Sequence, residues 1–434
     1  ILFGAIGFVV YRAFFYHRAT NFILISIDTL RPDHLGCYGY GLDQPNLSKF
    51  ASESLVFDRA YTTMPTTGPA MASVLTSLYP RTHTVRKNGI ELPDAALTLA
   101  EIFKQNHWKT AAFISAFPLD KRFKFNQGFD DYKDSIGAKG RQKNLKFEVP
   151  ADQITTAVSR WLQKNKPRDK TFIWIHYFDP HAPYKPPKDF QNIKSPLPNR
   201  TEDLDHYDGE IAFLDQQLGT LFQKLKQHEL WDRSLIAVIS DHGEGFGEHG
   251  YYGHGWFLYE EVARVVWMFH GPGIRKGRTD ALTQHIDFAP GVLDYFKIPL
   301  PKQFQGRSWW NVHRGKLPPS NEIWIERRLP PLATGAAEPD EDGHESVEEK
   351  WALRSATGKL IWSSDKKDEF YEIANDPKER TNQFSTGNKA AMDLMKKGLA
   401  IRARAASVAL KGARDIQSMD EETREALKAL GYVN

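Results

Sequence analysis

Short apolar runs alternate with amphipathic stretches along the middle of the chain. Residues 21–27, 171–177 and 234–240 are continuous apolar runs typical of buried strands. The stretch 151–164 instead places its apolar residues at helical spacing. This alternation predicts an α/β fold with a mostly parallel sheet between helices. Further predicted elements are helices at 69–79, 96–106 and 207–228 and strands at 109–115 and 264–269.

The pattern changes after about residue 315. Residues 329–350 are rich in Pro, Ala, Gly, Asp and Glu, which predicts a mobile surface insertion. The stretches 351–355 and 359–364 then predict two short antiparallel strands, joined by a turn at Thr357 and Gly358. A helical stretch at 388–430 ends the chain. These features predict a small, β-rich C-terminal subdomain.

The first eleven residues are uninterrupted by charge. A spanning helix needs about 20 apolar residues, so this run alone is too short. We interpret residues 1–18 as the end of an N-terminal membrane anchor, although a signal-peptide remnant or a packed core segment would give the same pattern. Residues 19–315 then form the predicted catalytic domain and 316–434 the C-terminal subdomain.

Composition narrows the function classes. Of 434 residues, 57 are Lys or Arg and 54 are Asp or Glu, a formal net charge of +3, which gives no sign of nucleic-acid binding. The single cysteine excludes an intramolecular disulfide and a thiolate zinc cluster. Any bound metal ion therefore takes oxygen and nitrogen ligands.

Chemically active side chains follow three of the predicted strands. Asp28 follows the first, His176 and His181 lie at the end of the second, and Asp241 with His242 follows the third. Ligands of open α/β sheets bind beyond the carboxyl ends of the strands. Asp and His at two of these ends favour a divalent cation, although a lone Asp in such a position is commonly a helix cap.

Thr67 lies at the predicted N-terminus of the helix that begins near Pro69. One interpretation is a simple N-cap. The other is a nucleophile that attacks an anionic group held by the free backbone N–H groups of the helix. A hydroxyl needs a metal ion or a base to become an effective nucleophile.

Several motifs together resemble the sulfatase-like branch of the alkaline phosphatase superfamily. The resemblance begins at residues 27–40 (IDTLRPDHLGCYGY) and continues through LTSLYPRTH at 75–83. It extends over nearly the whole chain from residue 21 onward and implies the alkaline-phosphatase-like fold, a mixed, mostly parallel sheet between helices with a small C-terminal β-rich subdomain. Further matching motifs are HYFDPHAPY at 176–184, SDHGE at 240–244, GHG at 253–255, HID at 285–287 and EFYEI at 369–373.

The nucleophile signature departs from that family. In sulfatases a Cys or Ser in a C/S-x-P-S-R signature is converted to formylglycine, and the matching positions here are Thr67–Gly68–Pro69–Ala70–Met71. Threonine cannot become formylglycine, and the Ser and Arg of the signature are absent. The acidic pair expected after the first strand is also reduced, because Asp28 is followed by Thr29.

The resemblance also implies a set of site residues. One divalent metal ion, with Mn²⁺, Zn²⁺ and Ca²⁺ all compatible, is expected on Asp28, Thr67, Asp241 and His242. His181 or His254 is expected to protonate the departing alcohol. We expect His176, Asn88 and His285 to contact the substrate, with a structural hydrogen-bonding role as the alternative for each.

Three functions fit this pattern. The favoured one is a metal-dependent phosphodiesterase or phospho-group transferase that passes through a phosphothreonine at Thr67, because phosphorus accepts in-line displacement at a metal centre. A sulfuric ester hydrolase with an unmodified Thr67 is the alternative, and a non-catalytic relative that binds an anionic glycan or a partner is the third. We expect an anionic ester of a lipid headgroup or glycan as the substrate. The expected location is a membrane-tethered catalytic domain in the periplasm or outside the cell.

Overall fold

The computed structural model describes residues 19–134, 149–329 and 348–411. The predicted anchor at 1–18, residues 330–347 of the predicted insertion and the part of the predicted helical stretch beyond 411 lie outside these ranges. Within them that stretch forms the helix Lys389–Ser407, which ends before residue 411. In the ranges described, no helix is both long and apolar enough to cross a membrane.

A sheet of eight strands forms the centre of the molecule. From edge to edge the strands are β12 (Gly277–Thr279), β2 (Leu55–Phe57), β11 (Trp267–His270), β7 (Ser234–Ser240), β1 (Asn21–Ile27), β6 (Thr171–Tyr177), β4 (Lys109–Ile114) and β5 (Asp131–Lys133). All neighbours are parallel except that β11 runs antiparallel to both β7 and β2. The sheet is thus mixed and mostly parallel, as predicted.

Helices cover both faces of this sheet, and one apolar cluster lies on each side. Thr98 begins the helix Leu99–Gln105 with a capping box, in which its hydroxyl accepts from the backbone N–H of Glu101 and the Glu101 carboxylate accepts in return. The helices are α1 (Pro45–Ser52), α2 (Thr67–Thr76), α3 (Pro80–His83), α4 (Leu99–Gln105), α5 (Ala151–Asn165), α6 (Glu202–Gln227), α7 (Glu260–Ala263), α8 (Phe288–Phe296), α9 (Trp309–His313) and α10 (Lys389–Ser407).

A second, antiparallel sheet forms the C-terminal part of the chain. Its strands, in order, are β14 (Glu322–Leu329), β15 (Glu348–Ser355), β16 (Lys359–Ser363) and β17 (Glu369–Tyr371). The antiparallel pair expected after residue 350 is therefore present. Residues 348–350 belong to β15 and not to the predicted insertion, because the strand begins earlier than its apolar residues indicate. Two smaller sheets complete the fold in the described residues. One has three strands, in the order β10 (Arg264–Val265), β3 (Ala60–Tyr61) and β13 (Thr283–Gln284), and the other pairs β8 (Gly245–Phe246) with β9 (Tyr252–Gly253).

Aromatic and ionic contacts hold the second sheet in place. The indole rings of Trp324, Trp351 and Trp362 stack in sequence, with centroids 5.0 Å and 5.7 Å apart. At the junction with the rest of the molecule, Arg81 binds Glu349 at 2.8 Å and Arg86 binds the same carboxylate at 3.1 Å. Arg81 follows α2 closely in the chain, so the second sheet supports the segment that begins at Thr67.

Candidate active site

The neighbouring strands β1 and β7 bring three potential ligands together. Asp28 follows β1, and Asp241 and His242 follow β7, which pairs with β1 in parallel. Each of the three offers one ligand atom, and these atoms all lie within 4.8 Å of one another. All three side chains are fully buried. The structure thus confirms that the strand ends converge.

The electrostatics of this cluster fit a divalent cation. Burial and the nearby Asp28 carboxylate raise the pKa of Asp241 to about 7. One oxygen of Asp241 accepts hydrogen bonds from the backbone N–H groups of Thr29 and His242, whereas its Oδ2 accepts none from the described residues. Two buried carboxylates with an imidazole form a donor set suited to Mn²⁺, Zn²⁺ or Ca²⁺. The residues present therefore fit one metal ion.

Thr67 is the first residue of α2, and its hydroxyl faces this cluster. Thr67 Oγ1 lies 3.3 Å from Asp28 Oδ2 and 3.4 Å from His242 Nε2. The hydroxyl is fully buried. The positive end of the ten-residue helix dipole also favours an anionic group beside Thr67. The side chain predicted as nucleophile is thus next to the predicted metal ligands.

Hydrogen bonds fix which ring nitrogen of His242 carries its proton. Its Nδ1 lies 2.9 Å from the carbonyl oxygen of Gly243, which can only accept. The proton is therefore on Nδ1, and the Nε2 lone pair faces Thr67. Burial lowers the pKa of His242 to about 4. A neutral imidazole with this tautomer is the form that binds a metal ion.

His254 and His181 lie beside His242. The ring centroid of His254 is 4.3 Å from that of His242 and 5.0 Å from that of His181. His254 Nδ1 lies 3.1 Å from a carboxylate oxygen of Glu244, and His181 Nδ1 lies 2.6 Å from the carbonyl oxygen of Ala182. Both partners are acceptors, so the lone pair of each neutral ring is on Nε2. Burial lowers the pKa of both histidines to about 4.

His176 has the opposite tautomer. The indole N–H of Trp174 donates to Ser26 Oγ at 2.8 Å, and Ser26 Oγ lies 2.7 Å from His176 Nδ1. Ser26 makes no other side-chain hydrogen bond with the described residues, and Nε2 faces the Asp28 carboxylate, so we assign the Ser26 proton to the contact with Nδ1. His176 therefore carries its proton on Nε2, which lies 3.6 Å from Asp28 Oδ2. The ring presents a donor to the site and cannot be a metal ligand through this nitrogen.

The remaining two predicted residues differ in what they offer. Asn88 accepts a hydrogen bond from the backbone N–H of Gly68 at 2.8 Å, and its buried amide nitrogen has no partner among the described residues. It is therefore a donor beside the N-terminus of α2, and substrate contact stays a prediction. His285 contacts the Ser240 carbonyl at 3.1 Å and the Thr62 hydroxyl at 3.3 Å. Both of its nitrogens are occupied, which favours the structural alternative.

Three further residues shape the site without having been predicted to do so. Glu244 holds His254, and Ser26 with Trp174 orients His176. Glu244 follows the metal pair in the sequence, but nothing in that spacing indicates which histidine it contacts. Ser26 pairs with His176 in the register of β1 and β6, and only that register brings the two side chains together.

Comparison with known proteins places this geometry in context. The family model described as Sulfatase matches residues 20–298, and the model described as N-sulphoglucosamine sulphohydrolase, C-terminal, matches residues 247–404. An arylsulfatase from Clostridium perfringens (strain 13 / Type A) is 22% identical over 465 residues, covering 87% of this chain and 93% of the relative.

Solved structures share the fold. A protein solved in complex with its substrate D-glucosamine-2-N,6-O-disulfate has a TM-score of 0.76 at 18% identity, covering 90% of this chain and 99% of that one. A phosphonate monoester hydrolase of Agrobacterium radiobacter has a TM-score of 0.75 at 20% identity, covering 93% of this chain and 99% of that one. The two matches agree with the α/β architecture predicted above.

Proposed function

Because the chain belongs to the sulfatase family, and is a hydrolase of that family, we propose that it cleaves or transfers a phosphodiester-linked group through a covalent ester on Thr67. The observation that carries this proposal is the position of Thr67 Oγ1, 3.3 Å from Asp28 and 3.4 Å from His242. A hydroxyl held there is a nucleophile as translated, without conversion to an aldehyde.

Asp28, Asp241, His242 and Thr67 would hold the divalent cation. When bound, the cation would lower the pKa of the Thr67 hydroxyl and offset the negative charge of the ester oxygens. The amide nitrogen of Asn88, beside the N-terminus of α2, supplies a hydrogen-bond donor for the same oxygens. His176 adds the N–H on its Nε2.

In the first step Thr67 Oγ1 releases its proton to water and forms a bond to phosphorus, and the bond from phosphorus to the leaving alcohol breaks. His254 or His181 donates the proton that the departing oxygen needs. In the ligand-free protein both rings are neutral, but an anionic ester beside them favours their protonated form. Glu244 stabilises the protonated state of His254 through the contact with Nδ1.

In the second step water, or a second alcohol, attacks the phosphothreonine and restores Thr67. The same histidine, now neutral, accepts the proton of the attacking hydroxyl on Nε2. A threonine ester lacks the aldehyde hydrate that lets a formylglycine enzyme expel sulfate. It must be cleaved at its own phosphorus or sulfur, and phosphorus accepts in-line displacement readily at a metal centre. This difference favours phosphorus over sulfur.

A sulfuric ester hydrolase that uses unmodified Thr67 is the second candidate. The observation in its favour is the similarity to an arylsulfatase that spans most of both chains. The two candidates differ in the central atom of the ester and share every residue of the site. Relative turnover of matched esters therefore separates them.

The experiment compares p-nitrophenyl phosphodiester, phosphate monoester and sulfate with Mn²⁺, Zn²⁺, Mg²⁺ or Ca²⁺ added. We expect the diester to be turned over fastest, with kcat reduced about 1,000-fold or more in Thr67→Ala. Thr67→Ser should retain part of the activity. Thr66→Ala is the matched control, because Thr66 begins the same helix without a side-chain cap hydrogen bond.

Mass spectrometry of acid-quenched enzyme should find a phosphate adduct on Thr67. Faster turnover of the sulfate would replace the phosphodiester proposal with the sulfatase one. Full activity in Thr67→Ala would contradict both, and no turnover of any ester with every metal would favour a binding protein.

We also propose that the enzyme acts at a membrane outside the cytoplasm. The apolar run at residues 1–11 supports a tether. The similar structure solved with D-glucosamine-2-N,6-O-disulfate supports an anionic sugar ester as the substrate. Fractionation of cells that express the chain, with protease added from outside, tests this location.

A further inference from the structure

The strands β8 and β9 form a hairpin that joins two residues of the candidate site. Glu244 directly precedes β8, and His254 directly follows β9. At the tip of the hairpin, residues 247–251, the backbone N–H of Gly247 donates to the carbonyl of Tyr251 at 2.9 Å. Because the hairpin connects Glu244 to His254, its placement determines how these two side chains meet.

His249 lies in this tip, and both of its ring nitrogens face oxygen acceptors. Its Nδ1 lies 2.6 Å from a carboxylate oxygen of Glu261, and its Nε2 lies 3.0 Å from the backbone carbonyl oxygen of Glu379. A neutral imidazole has one N–H group, whereas an imidazolium has two. Only the protonated ring can donate to both oxygens, so we assign a positive charge to His249 in this arrangement.

The charges around His249 favour the protonated ring. Burial opposes the positive charge, but the hydrogen bond and the charge of Glu261 outweigh it and raise the pKa of His249. The carboxylate of Glu379 adds to this shift, although it also binds the ammonium group of Lys359 at 2.8 Å. The other titratable groups near the ring are Asp376, Arg380 on the Glu248 carbonyl, Glu248 with Arg31, and Tyr259, which stacks on His249 and donates to Glu369.

His249 connects parts of the fold that lie far apart in the sequence. Glu261 belongs to α7, which leads into the three-stranded sheet, and Glu379 follows β17 of the C-terminal sheet. The His249 side chain is 11% exposed and that of Glu261 is 13% exposed. With so little water nearby, a nitrogen that lost its proton would face an oxygen acceptor without a replacement partner. The protonation of one ring thus determines whether the tip keeps both contacts.

We propose that His249 is a positioning residue that holds the β8–β9 hairpin, and with it Glu244 and His254, only while its ring is protonated. We call His249 with Glu261 and the Glu379 carbonyl the His249 clamp. Deprotonation removes the contact with one of the two oxygens and releases the tip. The effect on catalysis rests on the proposed function, whereas the placement of the hairpin does not.

Alkaline pH should release the hairpin. Because the pKa of His249 in the fold is higher than its ordinary value of 6.5, the clamp is complete below pH 6.5 and is lost as pH rises through the raised pKa. Hydrogen exchange followed by mass spectrometry, corrected for the intrinsic rate, measures this from pH 5 to 9. Amides of residues 245–253 should exchange about tenfold faster once the ring is neutral. ¹⁵N NMR of labelled histidine should show both nitrogens of His249 protonated at pH 5.5.

Glu261→Gln tests the charge without removing the ring. The amide oxygen can still accept from Nδ1, but the pKa of His249 should fall, so the step in exchange should move to lower pH by about one unit. His249→Gln should give fast exchange with no step. His228→Gln is the matched control, because His228 lies at the C-terminal end of α6 and contacts neither Glu261 nor the hairpin.

Three results would overturn the clamp. They are a single protonated nitrogen on His249 at pH 5.5, an absence of any pH step in the exchange of residues 245–253, and a step at the same pH in Glu261→Gln as in the wild type. A step that moves equally in His228→Gln would assign the pH dependence to the whole fold and would also contradict the proposal.

Turnover connects the clamp to the proposed function. In the wild type, kcat for the p-nitrophenyl diester should fall at alkaline pH with the same midpoint as the step in exchange. Glu261→Gln should move both midpoints together, with KM changed less than about twofold. A kcat profile that stays in place while the step in exchange moves would contradict the effect on Glu244 and His254. If the wild type turns over no ester, the proposed function fails while exchange and NMR still test the clamp.

Discussion

The hydroxyl oxygen of Ser26 lies 2.7 Å from Nδ1 of His176, and this contact makes His176 a hydrogen-bond donor to the site. Ser26→Ala removes the acceptor that Trp174 uses and the donor that sets the tautomer. We expect kcat/KM to fall about tenfold, with metal affinity nearly unchanged. ¹⁵N NMR of labelled histidine should show the His176 proton divided between its two nitrogens.

A buried serine outside the site provides the control for Ser26. Ser54 is fully buried and donates to the Phe50 carbonyl. Ser54→Ala should lower the free energy of unfolding by about 1 kcal/mol with kcat/KM retained. Equal kinetic losses in the two variants would mean that Ser26 acts through stability alone.

Glu244→Gln should lower kcat more than it raises KM. The amide keeps the shape of the side chain but stabilises a protonated His254 less than the carboxylate does. We expect kcat to fall about tenfold or more, measured across pH 5 to 9. Glu248→Gln is the control in the same loop, because Glu248 pairs with Arg31 and not with His254. A larger effect at Glu248 would point to loop order instead of proton transfer.

Metal binding should release protons near pH 6. In the metal-free protein the pKa of Asp241 is raised to about 7, first by burial and then by Asp28. A ligand carboxylate must be ionised, so binding displaces this proton, and the release should fade above pH 8. Calorimetry in two buffers of different ionisation enthalpy measures the number released. Asp241→Asn should bind the ion weakly and lose this component of the release.

The same raised pKa predicts how the metal-free protein responds to pH. Because the pKa of Asp241 is higher in the folded state than its unfolded value of 3.8, protonation of Asp241 stabilises the fold. This stabilisation is complete below pH 4 and is lost as pH rises through about 7. The free energy of unfolding without metal should therefore fall over this window, and saturating metal should reverse the fall. Thermal unfolding that is insensitive to added metal at pH 7 would argue against the site.

Glu349 should stabilise the junction between the two sheets at neutral pH. Burial opposes ionisation of Glu349, but Arg86 and Arg81 lower its pKa from 4.5 to about 2. The stabilisation of the fold by ionised Glu349 is therefore complete above pH 4.5 and is lost as pH falls through about 2. We expect Glu349→Gln to cost about 2 kcal/mol at pH 7 and progressively less at lower pH. Glu229→Gln, at an exposed position, should have no such dependence in denaturant titrations.

Gly398→Ala should destabilise the packing of α10 on the second sheet. The new Cβ atom would lie 2.2 Å from the Trp351 ring, which is fully buried and stacked between two other indoles. We expect a loss of about 1–3 kcal/mol in the free energy of unfolding. Gly387→Ala is the control, because its nearest heavy atom, Ser385 Oγ, is 4.0 Å away. Similar values for both variants would contradict close packing at Gly398.

The parallel strands were the most predictable part of the fold. Continuous apolar runs mark β1, β6 and β7, and the carboxyl ends of parallel neighbours must lie at one edge. That rule alone brings Asp28 near Asp241 and His242. Strands β2, β5 and β12 have three residues each and were not predicted. A run of three residues is too short to show the alternation of apolar and polar side chains that indicates a strand.

The surroundings of the metal ligands depend on tertiary structure. Thr67 was placed beside Asp28 by resemblance to a family, since a helix N-terminus has no fixed relation to a strand end. The Ser26–His176 contact needs the register of β1 against β6, which the residues themselves do not reveal. The Glu244–His254 contact needs the path of a ten-residue loop.

A threonine at the head of α2 also bears on how this enzyme becomes active. Enzymes that depend on formylglycine need a maturation enzyme to oxidise their nucleophile after synthesis. Thr67 carries its hydroxyl from translation, so folding and a supply of cation would complete the site. The gene moved alone into a host without maturation machinery should yield protein of undiminished specific activity.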